Sequence, residues 1–213
     1  MNTTIKAYIV DHPQGSEGWH KHRLNSLNAS ELAVAMGISS NMQRNELIKC
    51  KATGIPFEHS DFVEKRVFAK GHEIEAVSRP WAEEIVEDDL YANTFAAEVE
   101  GLLLSASLDG RDMMNSITWE CKSLNADLAA SLDAGVIPDQ YHPQMEQGLM
   151  LTGAAKSLFS ASNGTKESMR SVWYESNPEL RAKIIPTWKQ FMADVAAYVP
   201  TEAAPKVVAE ATE

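Results

Sequence analysis

Cysteine is scarce in this sequence: Cys50 and Cys121 are the only two. Two thiols cannot build a disulfide framework, nor a four-cysteine zinc or iron–sulfur site within one chain. They fit a reducing, cytoplasmic compartment. No apolar run is long enough to cross a membrane. The first ten residues, which include Lys6, lack the sustained apolar core and small-residue cleavage site of a signal peptide. Positive charge is also in deficit, with 19 Lys and Arg against 30 Asp and Glu and a net charge of −11. That balance weighs against nucleic acid, whose phosphates call for Lys and Arg. It does not exclude it: a basic patch can sit on an acidic body, and a bound metal ion cancels locally the carboxylates that hold it. No internal repeat is present.

What remains is the composition of an ordinary globular protein, 44% hydrophobic and 23% charged, so a packed core is expected. A chain of 213 residues favours a single domain, here 1–200. Residues 201–213 are rich in Ala, Glu and Pro and read as a disordered tail. The spacing predicts a short helix from Asn28 to Met36, stopped by Gly37, and another over Gln43 to Ala52, closed by Gly54. Ser60 and Asp61 open a longer helix to about Glu84, with Phe62, Val67, Phe68, Ile74, Val77 and Trp81 at apolar positions. Gly71 and Pro80 leave its continuity open. Three strand-like runs follow, Leu90 to Glu98, Leu102 to Leu108 and Ser116 to Lys122, with Asp109-Gly110 reading as a tight turn. Helices are predicted over Asn125 to Ala134 and Pro143 to Thr152, then strands over Ala155 to Ser162 and Met169 to Glu175 joined at Asn163-Gly164. A last helix starts at Asn177, and Pro186 should bend or interrupt it. The order implies an α+β fold, a central mixed sheet flanked by helices.

Chemistry concentrates in Ser107-Leu108-Asp109-Gly110 and Trp119-Glu120-Cys121-Lys122. Asp109 ends one strand. Glu120 and Lys122, two apart on the next, share a face, while Cys121 points its side chain away. An antiparallel hairpin can bring Asp109 beside Glu120, and two carboxylates so placed form a hard-oxygen site suited to Mg²⁺, with Mn²⁺ as a substitute. The Cys121 carbonyl can face the same ion. Lys122 can orient a water or offset negative charge developing on a phosphoryl group. The same three residues also fit a turn aspartate and a strand of alternating surface charges.

The pattern D-(x)n-E-x-K resembles the PD-(D/E)xK nuclease superfamily, with its restriction-endonuclease-like core of a mixed sheet in an α/β/α-like arrangement. Four blocks narrow the resemblance. Gly15 to Arg23 followed by Asn28-Ala29-Ser30-Glu31, then Lys70-Gly71-His72-Glu73-Ile74-Glu75, then the Asp109 to Lys122 pair, then Tyr141-His142-Pro143-Gln144-Met145-Glu146-Gln147, stand in the order found in the lambda-exonuclease and YqaJ-like viral recombinase family. The resemblance implies a metal-dependent exonuclease of phage or prophage origin in a bacterial host cell. It would degrade one strand of duplex DNA from its end in the 5′→3′ direction and leave 3′ overhangs for recombination. Relatives form ring trimers and work with a single-strand annealing protein. A basic lining drawn from Arg23, Lys49, Lys51, Lys65 or Arg66 would then face a central channel.

Residue by residue, the resemblance makes Asp109, Glu120 and the Cys121 carbonyl metal ligands and Lys122 the catalytic lysine. Glu75 would sit beside a second metal or help activate water. Gln144 would hold the nucleophilic water or support the ligands, Tyr141 would line the site, and Arg23 and Ser30 would bind the terminal phosphate. Plainer readings stand beside these. Glu75 also reads as an exposed helix charge, Arg23 as an ion-pair partner, Ser30 as an N-cap, and Tyr141 with Gln144 as packing at i, i+3. Trp19, Trp81, Trp119, Trp173 and Trp188 read as core. The chain departs from the family at Leu108, where a proline is common, and at Glu146, where a second glutamine is common. The latter would add negative charge near the site.

Overall fold

A computed structural model describes residues 5–56 and 69–200 of the chain. The predicted Ser60–Asp61 helix start, Phe62, Val67 and Phe68, the lining residues Lys65 and Arg66, and the tail lie outside the described residues. The elements run β1 (Tyr8–Ile9), α1 (Glu17–Asn25), β2 (Leu27–Asn28), α2 (Ala29–Ala35), α3 (Arg44–Thr53) and α4 (Ala69–Val86). Then come β3 (Asn93–Val99), β4 (Leu102–Leu108), β5 (Gly110–Arg111), β6 (Ile117–Ser123) and α5 (Ala126–Asp133). A 3₁₀ turn, Asp139–Tyr141, leads into α6 (His142–Thr152), followed by β7 (Lys156–Ser162), β8 (Arg170–Glu175) and α7 (Pro178–Ala196). The α+β class is as the sequence implies; α1 and the two-residue strands β1 and β2 are additions to it.

Hydrogen bonding divides the strands into two four-stranded mixed sheets, ordered β1-β3-β4-β2 and β5-β6-β7-β8. The β2–β4 and β6–β7 pairs are parallel and the others antiparallel. The sheets meet at Asp109, the one residue between β4 and β5. Asp109-Gly110 is therefore not the predicted turn: β5 continues past it and pairs with β6, and the reversal comes later, around Asn115 at φ 54°. Gly110 is needed for close approach instead. A Cβ there would meet Leu90 at 3.0 Å and the Trp119 ring at 3.1 Å.

Three apolar clusters hold the layers. Leu32, Leu104, Ile184, Trp188 and Phe191 join the first sheet to α2 and α7. Phe159, Leu128 and Leu149 pack one face of the second sheet under α5 and α6. Leu158, Trp119 and Ala82 pack its other face under α4. Adjacent residues Leu158 and Phe159 thus serve opposite faces of β7, as strand alternation requires. Of the five tryptophans, Trp119 and Trp188 are core; Trp19, Trp81 and Trp173 are only half-buried.

Neither Pro80 nor Pro186 interrupts its helix. Both face solvent, as do Ala76 and Ala182 four residues earlier, so the carbonyl each proline leaves unbonded can be hydrated. The opposite face of α7 buries Ile184, Trp188 and Phe191, and this packing outweighs the local cost.

Two buried polar side chains on α6 lock the layers. Gln147 donates to the Leu27 and Ser105 carbonyls at 2.8 and 2.9 Å and accepts from the Trp188 indole at 2.7 Å. Glu146 is fully buried, against the expectation that it charges the site. Its carboxylate accepts from the Tyr174 hydroxyl (2.8 Å), Ser176 Oγ (2.9 Å), the Asn177 N–H (2.8 Å) and Arg181 Nε (2.6 Å). One acid therefore fastens α6 to the end of β8 and the start of α7. Burial and that carboxylate together raise the Tyr174 phenol well above its ordinary range. Replacing Glu146 with Ala strands four donors, one of them the partly exposed Arg181 guanidinium. Urea unfolding should show a loss of about 3 kcal/mol, the scale of leaving buried donors unsatisfied, and Glu146→Gln should lose less.

Candidate active site at the fork between the sheets

The β5–β6 register pairs Gly110 with Trp119 and Arg111 with Thr118, so one step back along β5 Asp109 stands opposite Glu120. The β5 ladder stops there, leaving that edge of β6 open from Glu120 onward. Asp109 closes the gap by accepting the Cys121 N–H on Oδ2 at 2.7 Å. The N–H and C=O of one strand residue point to the same edge, so the Cys121 carbonyl opens on the side of Asp109. The Cys121 thiol turns to the opposite face and packs against the Trp119 and Ala82 cluster. Burial first, and then the surrounding carboxylates, push that thiol up to about 12, so it stays protonated.

Glu120 is buried. Its Oε1 takes two donors, Lys122 Nζ at 2.5 Å and Gln144 Nε2 at 2.6 Å. Gln144 Oε1 in turn stands 3.3 Å from Lys122 Nζ. Three residues from β6 and α6 thus form a closed triangle around one ammonium. Tyr141, half-buried just before α6, stacks near Phe159 with ring centroids 5.0 Å apart. Glu75 approaches from the other face on α4, where Arg79 Nη2 donates to its Oε1 at 2.8 Å. It is mostly buried rather than a solvated helix charge, its side chain being 16% exposed.

The electrostatics follow from burying acids together. Burial, with Glu75 adding repulsion, lifts Asp109 to about 6, although Lys122 and the Cys121 N–H pull it down. Burial and then Asp109 lift Glu120 to about 7 against the pull of Lys122. Burial also raises Glu75, with Arg79 opposing. Burial alone would lower Lys122, but Glu120 and Asp109 more than offset it, so the ammonium stays charged.

The donor set fits a hard divalent cation. Among the described residues, Asp109 Oδ1 and Glu120 Oε2 have no protein hydrogen-bond partner, and the Cys121 carbonyl opens beside them. No group of three or more His, Cys, Asp and Glu side chains among the described residues encloses an ion. A site of two carboxylates and a carbonyl suits Mg²⁺, which keeps several waters and takes phosphate oxygens for the rest.

A second cluster lies on α1 and α2. Arg23 Nη2 donates to Ser30 Oγ at 3.1 Å, and its guanidinium lies 4.8 Å over the Trp19 ring. The Trp19 indole donates to Ser107 Oγ at 3.1 Å and His22 meets Ser105 Oγ at 2.9 Å, so α1 is pinned to the strand that ends on Asp109. Ser30 is not the N-cap; Asn28 holds that position and closes it with Glu31. The Ser30 hydroxyl is exposed. Lys51 does not fit the expected basic lining: it is 7% exposed, paired with Glu31 at 2.9 Å, and donates to the Arg23 and Ser26 carbonyls. Lys49 is exposed. Two contributors escaped the sequence reading, Arg79 behind Glu75 and Trp19 under Arg23. Both stand at i, i+4 to their partners, a helical spacing that could have flagged them.

Residues 18–155 match the model of the YqaJ-like viral recombinase domain, well over half of the chain. The chain belongs to this family. Its fold recurs in the alkaline exonuclease LHK-Exo of Laribacter hongkongensis, at 21% identity and a TM-score of 0.67, over 85% of this chain and 93% of that one. It recurs in a phage-related exonuclease of Haemophilus somnus 129PT, at 13% identity and a TM-score of 0.57, over 81% and 95%. No curated protein matches the chain. The YqaJ-like match spans all four blocks noted in the sequence except the first residues of the opening one.

The raised acids set a pH dependence. Without metal, folded Asp109 and Glu120 hold protons up to about 6 and about 7, whereas unfolded they release them near 3.8 and 4.5. The folded state binds more protons in that window, so this contribution to stability is full below it and is lost as pH rises through it. Melting of metal-free protein between pH 5 and pH 8 should show that decline, flattened in Asp109→Asn/Glu120→Gln. A divalent cation held by these two carboxylates should raise the melting temperature more at pH 8 than at pH 5, because carboxylate ligands must be deprotonated.

Proposed function

We propose that the chain is a Mg²⁺-dependent deoxyribonuclease that degrades one strand of duplex DNA from an end, in the 5′→3′ direction, and leaves 3′ overhangs for recombination by strand annealing. The observation that carries this reading is the Glu120–Lys122–Gln144 triangle directly opposite Asp109, a charged lysine held beside two carboxylates that each keep a free oxygen.

In this reading Asp109, Glu120 and the Cys121 carbonyl hold the metal, and Glu75 approaches it from α4. When bound, the cation supplies Lewis acidity toward a phosphoryl oxygen and makes an adjacent water a stronger acid. Lys122 orients the attacking water and offsets charge as it builds on the phosphoryl group. Gln144 keeps Lys122 and Glu120 in register, and Tyr141 lines the lysine side. Arg23 and Ser30 receive the terminal phosphate. The Trp19 ring confines the Arg23 guanidinium beforehand, which lowers the entropy lost on binding.

An acidic chain can meet DNA as a ring of three copies whose inner surface gathers Arg23, Lys49 and neighbouring cations. The expected setting is a bacterial cytoplasm, with phage or prophage encoding and a single-strand annealing protein as partner.

The test uses linear duplex DNA labelled at one 5′ end, with closed circular plasmid as control. In Mg²⁺, wild type should release short labelled products from the linear DNA alone. Asp109→Ala should be slower by about 100-fold or more, the scale of losing one preorganised electrostatic group. Nicking of the circle would replace the exonuclease with an endonuclease, and inert DNA in both Mg²⁺ and Mn²⁺ would leave a DNA-end-binding module.

A further inference from the structure

Arg79 is a buried-side cation that none of the roles above uses, and its geometry is unusually constrained. Its Nη2 donates to Glu75 Oε1 at 2.8 Å, its Nη1 donates to the Leu90 carbonyl at 3.0 Å, and its guanidinium lies 5.3 Å over the Trp119 ring. Those contacts join Glu75, on the same helix, to two separate parts of the fork. Glu75 is on α4. Trp119 directly precedes Glu120 on β6. Leu90 leads into Tyr91, whose N–H and C=O both pair with Arg111 of β5, two residues after Asp109. The Leu90 N–H is held in turn by Glu83 of the same helix at 3.0 Å. Both backbone groups of Leu90 are therefore bolted to α4 side chains.

We infer that Arg79 is a positioning residue that sets Glu75 against the Asp109–Glu120 pair, and so sets the affinity of the site for a divalent cation. Glu75 projects from a helix packed on the face of β6 opposite to Glu120, so nothing in the strand register fixes its distance to the carboxylates. Arg79 supplies that reference, because one rigid fork reads α4, the β5 flank and the β6 tryptophan together. A lysine carries the same charge but only one ammonium, which cannot hold Glu75 and the Leu90 carbonyl in this planar arrangement. The inference rests on the metal-dependent reading of the site.

The experiment titrates Mn²⁺ into the full chain without DNA, followed by calorimetry, for wild type, Arg79→Lys, Glu75→Gln and the double variant, with melting temperatures recorded alongside. Arg79→Lys should weaken Mn²⁺ binding about tenfold or more, the range found for residues supporting metal ligands. In the Glu75→Gln background the same change should cost nothing further, as expected for residues acting through one contact. Unchanged affinity in Arg79→Lys, or a full additional loss in the double variant, would overturn the inference. So would tighter binding in Arg79→Met with no change in Arg79→Lys, which marks a mere counter-charge. If Arg79→Met fails to fold, the charge-conserving lysine variant still decides. Intact Mn²⁺ binding with inert DNA would defeat the nuclease reading alone; no Mn²⁺ binding by wild type would defeat both.

Discussion

Everything at the fork depends on a single hydrogen bond, from the Cys121 N–H to the Asp109 carboxylate. It replaces the ladder bond that the Leu108 carbonyl would have accepted had the β5–β6 pairing run two residues further. A side-chain acceptor in place of a backbone carbonyl ends the pairing and leaves a carboxylate where two sheets separate. Glu120 is brought opposite by the same register, and Lys122 follows on the same face two residues later. The site is thus a consequence of where one strand stops pairing.

Burying acids together is costly, and the local answer is cations held in fixed positions. Lys122 is fixed by Glu120 and Gln144, and Arg79 by Glu75, Leu90 and Trp119. Even so, burial keeps Asp109 and Glu120 raised, to about 6 and about 7. Strength comes from elsewhere. Glu146 and Gln147, adjacent on α6, each satisfy several donors or acceptors away from the fork and tie α6 to β8, α7, β2 and β4. One helix therefore presents Gln144 to the carboxylates and anchors itself with Glu146 and Gln147, two and three residues later.

The Arg23 cluster obeys the same logic at lower burial. Arg23 is confined by a ring on one side and a hydroxyl on the other, and the ring is hung from a serine on β4. The Arg23 guanidinium and the Asp109 carboxylate therefore share one reference, β4, the first through Trp19 and Ser107 and the second by following Leu108 directly. This matters for a chain with a net charge of −11, because local placement of a few cations has to do what overall charge does not.

The sequence by itself makes most element types and the Asp109, Glu120 and Lys122 trio legible, though not α1, β1 and β2. Strand alternation put Glu120 and Lys122 on one face and Cys121 on the other, and caps and glycines marked α2, α3 and α5 to within a residue or two. It misjudged Asp109-Gly110, because a glycine required by the nearby Leu90 and Trp119 looks the same in one dimension as a glycine required by a turn. It misjudged Pro186, because solvent exposure of the freed carbonyl and burial of Trp188 on the far face are tertiary facts. Glu146 was expected to add charge near the site and Lys51 to line a channel for a related reason: their charge is legible, but whether four donors or an opposite carboxylate surround it is not. Local pattern fixes which way a side chain leaves the backbone. Only the packing of α4 and α6 against the two sheets decided that Glu75 and Gln144 reach the carboxylates and that Glu146, two residues from Gln144, does not, since neighbouring positions on a helix point to different layers.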